Sequence, residues 1–179
     1  HYPLRRQRQM CIRDSYYVAI GRQVPYKRID LAVAAATKLS LPLRVYGSGS
    51  EHDRLVAMAG PTVEFFTERF GNASDKAVAE ALNQAKGVIF PAEEDFGIVQ
   101  VEAMAAGAPV VAYAKGGSLD IVQDGESGVL FDEQTANAVA AAIERLDSIS
   151  FSPALLRRKA KRFSKELFIM KLHKIVLSL

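Results

Sequence analysis

The segment Val88–Ala112, VIFPAEEDFGIVQVEAMAAGAPVVA, decides the fold. Val88–Phe90 is a short apolar run, continuous rather than alternating, and it stops at Pro91. Such a run suits a strand covered on both faces. An acidic turn follows, then the alanine-rich stretch Ile98–Ala106 reads as a helix and Val110–Ala112 as a second strand. Strand, helix, strand in this order predicts a parallel crossover.

The same alternation extends in both directions. Upstream, Tyr16–Ile20 is an apolar run ending at Gly21, and Asp30 opens a helix through Leu39. Leu43–Tyr46 is a strand stopped by the GSGS turn at Gly47–Ser50; Glu51–Ala59 reads as helix, Val63–Phe66 as strand and Ser74–Lys86 as helix. Downstream lie a short helix around Leu119–Val122, a strand at Gly128–Phe131, a helix at Ala136–Leu146, and one or two basic helices from Pro153 onward. The pattern predicts an α/β domain with a doubly wound parallel sheet, Rossmann-like, over residues 16–179. Residues 1–15, HYPLRRQRQMCIRDS, are arginine-rich and without a period; they are expected to be an unstructured or foreign segment.

Ligands of such sheets bind outside the carboxyl ends of the strands. The loops after Ile20, Tyr46, Phe66, Phe90 and Ala112 should therefore share one edge. In the loop after Phe90, the helix beginning near Gly97 presents free N–H groups and partial positive charge to an anion or sugar oxygen. Gly97 removes the side chain that would hold a ligand away. Glu94 precedes this helix, and Glu102, inside it, can lean back toward the same cleft because helical side chains tilt to the N-terminus. A plainer reading makes Glu94 or Asp95 a helix cap and Glu102 a solvated carboxylate. In the loop after Ile20, Arg22 and Lys27 could neutralise a diphosphate leaving group, one as a fork and one as a point charge. They could equally be ordinary exposed cations.

Taken whole, the segment resembles the E-x7-E signature of family 4 glycosyltransferases, whose form is close to FP-x-x-E-x-F-G-I-x-x-x-E-A-M-A-x-G-x-P-V-V. Glu94, Phe96, Gly97, Ile98, Glu102, Ala103, Met104, Ala105, Gly107, Pro109, Val110 and Val111 all fall in place. Lys115–Gly116–Gly117 and the D-G-x-x-G-x-L-F of Asp124–Phe131 also match, as does G-R-x-x-x-x-K-x-x-D at Gly21–Asp30. The resemblance runs from Tyr16 to about Phe168. It implies the C-terminal, donor-binding half of a GT-B fold in a retaining hexosyltransferase. By residue, it implies that Arg22 and Lys27 bind the diphosphate, Glu94 the transferred sugar and Glu102 the ribose. The backbone of Phe96, Gly97 and Ile98 would hold sugar or phosphate oxygens, and Gly21 and Gly47 would let the chain turn beside the diphosphate. The donor is expected to be a nucleoside-diphosphate sugar, GDP-mannose by local wording or else a UDP-sugar, with no metal or cofactor required.

Two departures stand out. Phe66–Asn72 replaces the family's usual strand–glycine turn near the base pocket, which leaves the base open. The N-terminal acceptor domain of the family has no counterpart here, so the chain is expected to bind donor weakly and to transfer nothing alone.

Charge narrows the partners. The 179 residues carry a formal net charge of +3, but residues 16–156 hold 11 Lys+Arg against 18 Asp+Glu, net −7. A nucleic-acid binder would carry positive charge on the fold itself, so that class is set aside. Residues 157–179 hold eight basic residues and one acid, net +7. This stretch could touch an anionic membrane face, or be the solvated side of a helix that packs toward the absent domain. A single cysteine, Cys11, excludes an internal disulfide framework and fits a reducing cytoplasm, with the inner membrane face as the alternative location. His52 and His173 read as surface histidines. A dinucleotide loop at Gly47–Ser48–Gly49 lacks its third glycine. The rival readings are an epimerase or phosphorylase of GT-B architecture and a non-catalytic Rossmann-like nucleotide module.

Overall fold

The computed structural model describes residues 16–67 and 74–178. The segment 1–15 and most of the divergent loop after Phe66 lie outside the described residues. Six strands form one sheet: β1 (Tyr17–Ile20), β2 (Leu43–Tyr46), β3 (Val63–Phe65), β4 (Gly87–Phe90), β5 (Val110–Tyr113) and β6 (Gly128–Phe131). Their spatial order is β3-β2-β1-β4-β5-β6, and every pairing is parallel. This is the doubly wound order of Rossmann-like domains, as the sequence pattern predicted.

Eight α-helices among the described residues complete the layers. They are α1 (Ile29–Leu39), α2 (His52–Met58), α3 (Asp75–Gln84), α4 (Ile98–Ala106), α5 (Ser118–Ile121), α6 (Ala136–Asp147), α7 (Pro153–Ala160) and α8 (Lys165–Val176), with 3-10 turns at Pro25–Lys27 and Lys161–Phe163. None is long and apolar enough to cross a membrane.

The strand residues explain the two layers. Successive side chains of a strand point to opposite faces. Tyr17, Ala19, Ile89, Val111 and Phe131 enter one core with α1, α2 and α6. Val18, Val88, Phe90, Val110 and Ala112 enter a second core with α3, α4, α5 and α7. Val18, Val88, Val110 and Val111 are all wholly buried. Burying each contributes about 1.5–3 kcal/mol, so an apolar residue is favoured at every position of these strands.

Local signals set the helix boundaries. Ser74, Thr135, Ser152 and Ser164 each accept a hydrogen bond from a first-turn amide, capping α3, α6, α7 and α8. The helix α4 differs: its N-cap is Gly97, in the left-handed region at φ 79°, with no side-chain cap. Neither Glu94 nor Asp95 caps it, so the plainer reading of those acids does not hold.

The topology also makes the cleft. From the adjacent strands β1 and β4 the chain leaves toward opposite faces, to α1 on one side and α4 on the other. The loops splay apart and open a crevice at the carboxyl edge of the sheet.

Candidate functional site

The loops after β1 and β2 are joined by a buried glutamine. Gln23 is fully buried. Its Nε2 donates to the Gly47 carbonyl at 2.6 Å, and its Oε1 lies 2.7 Å from His52 Nδ1. Its amide donates to Ser48 O at 2.8 Å, and its carbonyl accepts from the Glu51 amide at 2.9 Å. A Cβ on Gly47 would collide with the Gly21 carbonyl, and Gly47 has φ +115°, so only glycine fits there. Thr67 Oγ1 adds a bond from the Gly47 amide at 2.8 Å. Gly21 and Gly47 thus bring two backbones together. His52 is half-buried, bonded to Gln23 and edge-on to Phe65 at 5.5 Å, and is not the plain surface histidine expected. His173, on α8, is exposed.

The loop after β4 rests on the diglycine after β5. The Gly117 amide donates to Glu94 O at 2.7 Å. A Cβ on Gly117 would lie 2.6 Å from Asp95 O, and one on Gly116 would strike the Glu94 carbonyl. Lys115–Gly116–Gly117 therefore supports the acidic turn from below. Gln100, fully buried one turn into α4, donates to Ser118 Oγ at 3.1 Å. Its Oε1 has no hydrogen-bond partner among the described residues.

Three of the residues singled out for catalysis converge. The ammonium of Lys27 lies against the carboxylate of Glu94, both side chains about four-fifths buried. Arg22, exposed, donates through Nη2 to the Tyr26 hydroxyl at 2.9 Å, and Lys27 Nζ stands 5.3 Å from the Tyr26 ring centre. The Arg22 bond holds the Tyr26 phenol below its ordinary pKa. A second tie spans the crevice: Arg28 Nη1 donates to Gln134 Oε1 at 3.5 Å, and Gln134 Nε2 to Pro91 O at 2.8 Å. Tyr26, Lys27 and Glu94 border an open groove of about 470 Å³ that includes Phe96, Gly97 and Ile98 at the uncapped end of α4. Phe96 and Ile98 are half or more exposed.

Glu102 faces a different hollow. It lines a groove of about 550 Å³ between α3 and α4, with Ile20, Val78, Leu82 and Asp75. Partial burial raises its pKa above the ordinary glutamate range, and the Asp75 carboxylate adds to the shift. The two glutamates of the E-x7-E spacing thus occupy two grooves flanking the N-terminal half of α4.

Sequence reasoning missed Gln23, Tyr26, Gln100, Ser118 and Gln134. None carries a recognisable spacing signal. Tyr26 acts within its own loop, on Arg22 and Lys27, while the other four act between segments that only the fold brings together.

The basic C-terminal stretch divides in two. On α7 and the turn after it, Lys159 pairs with Glu126 at 2.7 Å, Arg157 donates to Ala106 O at 3.3 Å and Arg162 to Ile121 O at 3.0 Å. These cations serve the domain's own surface, not the simple solvated face expected. Only α8 stands clear, with no buried residue.

With this geometry in view, the comparisons with known proteins are direct. The model of the family "Glycosyl transferases group 1" matches residues 12–166. A D-inositol 3-phosphate glycosyltransferase of Mycobacterium sp. (strain KMS) is 35% identical over 161 residues, which cover 83% of this chain and 35% of the relative. A glycogen synthase of Thermus thermophilus is 32% identical over 162 residues, covering 87% and 37%. Sucrose-phosphate synthase from Thermosynechococcus elongatus superposes with a TM-score of 0.75 at 28% identity, covering 93% of this chain and 46% of that one. The Anabaena protein HepE, solved in complex with UDP and glucose, does so with a TM-score of 0.74 at 22% identity, covering 92% and 49%. The chain thus spans from about a third to a half of the length of these proteins. It belongs to the group 1 glycosyl transferases.

Proposed function

We propose that this domain binds a nucleoside-diphosphate sugar and provides the donor side of retaining hexosyl transfer. The meeting of Lys27 with Glu94 at the uncapped end of α4, beside Arg22, is the observation that supports this best. The two cations suit the diphosphate, where negative charge grows as the bond to the anomeric carbon breaks. The free amides around Gly97 suit the phosphate or sugar oxygens. Glu94, acceptor-only when ionised, suits the hydroxyls of the sugar, and Glu102 the ribose diol.

In the empty domain Glu94 already neutralises Lys27. Donor binding would therefore require Lys27 to divide its donors between the carboxylate and a phosphate oxygen. The diphosphate leaves with the bonding electron pair, and the acceptor hydroxyl attacks on the same face and loses its proton. Acceptor and proton-removing group would come from a second domain facing this edge, as the resemblance implies. Two donors are in view: GDP-mannose, from the wording of the motif, and a UDP-sugar, since HepE is solved with UDP and glucose.

The test is calorimetric titration with GDP, GDP-mannose, UDP and UDP-glucose, with NAD as control. Selective binding of a sugar nucleotide or its diphosphate, weakened by Arg22→Ala and Glu102→Ala, supports the site. Binding indifferent to both substitutions, or tighter binding of NAD, overturns it.

A further inference from the structure

We propose that Tyr26 is a positioning residue for diphosphate binding, which fixes the fork of Arg22 at the groove beside Lys27 before the ligand arrives. The role deepens the donor reading above and rests on it. Tyr26 and Lys27 line the groove at the uncapped end of α4, whereas Arg22 is exposed and does not. What ties Arg22 to the groove is the 2.9 Å bond from its Nη2 to the Tyr26 hydroxyl.

The segment that carries Tyr26 is held by its own backbone. The Val24 amide donates to Arg22 O at 2.9 Å, Lys27 to Val24 O at 3.1 Å and Arg28 to Pro25 O at 3.2 Å. Pro25, with its φ fixed by the ring, opens the 3-10 turn, and fully buried Gln23 anchors the loop in the fold. The Tyr26 ring thus stands on a fixed backbone between two cations. Lys27 Nζ lies over its face, 5.3 Å from the centre, and Arg22 reaches the hydroxyl at its tip. A ring face attracts a cation and a phenol oxygen accepts from one, so a single side chain holds both.

An exposed hydrogen bond of this kind contributes little to folding. Its consequence is for binding. A long arginine side chain must be ordered before its fork can meet a phosphate, and that ordering opposes association. Tyr26 takes one donor of the guanidinium and leaves the rest of the fork to the ligand, so the ordering precedes the diphosphate.

The experiment is NMR titration of the chain with GDP and with UDP, which follows binding into the millimolar range and so still reads weakened variants. It is run on the unsubstituted protein, Tyr26→Phe, Arg22→Ala and the double variant, each checked by thermal melting. Tyr26→Phe keeps the ring beside Lys27 and removes only the hydroxyl. It should weaken the better-bound diphosphate about three- to tenfold, the cost of ordering one long side chain, and leave the melting temperature within about one degree. In the Arg22→Ala background the same substitution should change binding by less than about twofold, because the hydroxyl acts through Arg22. Unchanged or tighter binding in Tyr26→Phe, with Arg22→Ala still weakening it, overturns the positioning role alone. A loss by the same factor in both backgrounds does so too, since the hydroxyl would then act without Arg22. No binding by the unsubstituted protein, or binding indifferent to Arg22→Ala, overturns the donor reading and the positioning role with it.

Discussion

Lys27 and Glu94 stand 67 positions apart in the chain and meet as an ion pair across the crevice between the loops that leave β1 and β4. These strands are neighbours in the sheet, yet their following helices lie on opposite faces. The pair therefore sits where the chain diverges, and a diphosphate entering the crevice must compete with Glu94 for Lys27.

That competition gives opposite signs for the two partners. Lys27→Ala should weaken GDP or UDP binding about ten- to a hundredfold, the loss of a hydrogen bond to a charged group. Glu94→Gln should tighten the plain diphosphate up to about fivefold, since breaking a partly exposed pair frees an ammonium at a cost of at most about 1 kcal/mol. It should also remove any gain from the attached sugar. Calorimetry with diphosphate and sugar nucleotide side by side reads both; equal weakening by the two substitutions would contradict this account.

Gly117 tests the support beneath that loop. Its missing side chain lets the Glu94–Phe96 backbone lie directly on it, and any Cβ would meet two carbonyl oxygens. Gly117→Ala should lower the melting temperature by several degrees, a cost of roughly 1–3 kcal/mol from overpacking, and abolish nucleotide binding. By contrast, Gly125→Ala meets only the tip of Arg145, at 4.0 Å. It should lose stability through its φ of +75° but keep binding.

The strands and helices were legible because continuous apolar runs and alanine-rich stretches have only a few physical solutions. Leu43–Tyr46, Ile98–Ala106 and Gly128–Phe131 fall at the bounds read from sequence, and the other strands and the helices up to α6 lie within one or two residues of theirs. The basic stretch from Pro153 carries no separate bounds for α7 and α8, and the 3-10 turns carry no sequence signal. The candidate site was legible as an inventory of residues but not as an arrangement. Arg22, Lys27, Glu94 and Glu102 could each be singled out from the chain. Nothing in the spacing shows that Lys27 and Glu94 would pair, or that the two glutamates would face different grooves. Such facts depend on strand order, which local patterns do not encode. The buried amides were illegible for other reasons: Gln23 lies in a polar loop that suggests solvent, and nothing in the spacing of Ile98–Ala106 shows that Gln100 bonds Ser118.

Gln23 should accordingly matter more than its type suggests. Gln23→Ala removes the bonds to Gly47 O and His52 from a fully buried position. A loss of about 1–3 kcal/mol is expected in urea unfolding. Donor affinity should fall too, because Gly21 and Gly47 would no longer hold the two backbones together.

Glu102 should trade stability for binding. Its pKa is raised in the folded protein, by burial first and then by Asp75, so the folded state holds this proton more firmly than the unfolded chain. Stability falls as pH rises from the ordinary glutamate range through the raised value, then levels off. Glu102→Gln cannot ionise and escapes that loss. The variant should melt higher than the parent at neutral pH, and the difference should close below the ordinary glutamate range. Its nucleotide binding at neutral pH should be weaker. Melting curves from pH 4 to 7 decide the matter; a variant less stable throughout would show that the carboxylate is held by a favourable contact instead.

The two C-terminal helices should behave as different kinds of structure. Leu156 on α7 is fully buried in the core shared with α4, and Leu156→Ala should cost about 2–5 kcal/mol. On α8 no side chain is buried, and Phe168, Leu172, Ile175 and Val176 are each nearly half exposed or more. Ending the chain before Lys165 should therefore change the unfolding free energy by less than about 1 kcal/mol, because little apolar area would return to water. It should also reduce self-association, since that apolar row would be gone. Urea unfolding and sedimentation of the two variants separate the cases. A truncation as damaging as Leu156→Ala would mean that α8 packs on the domain in solution.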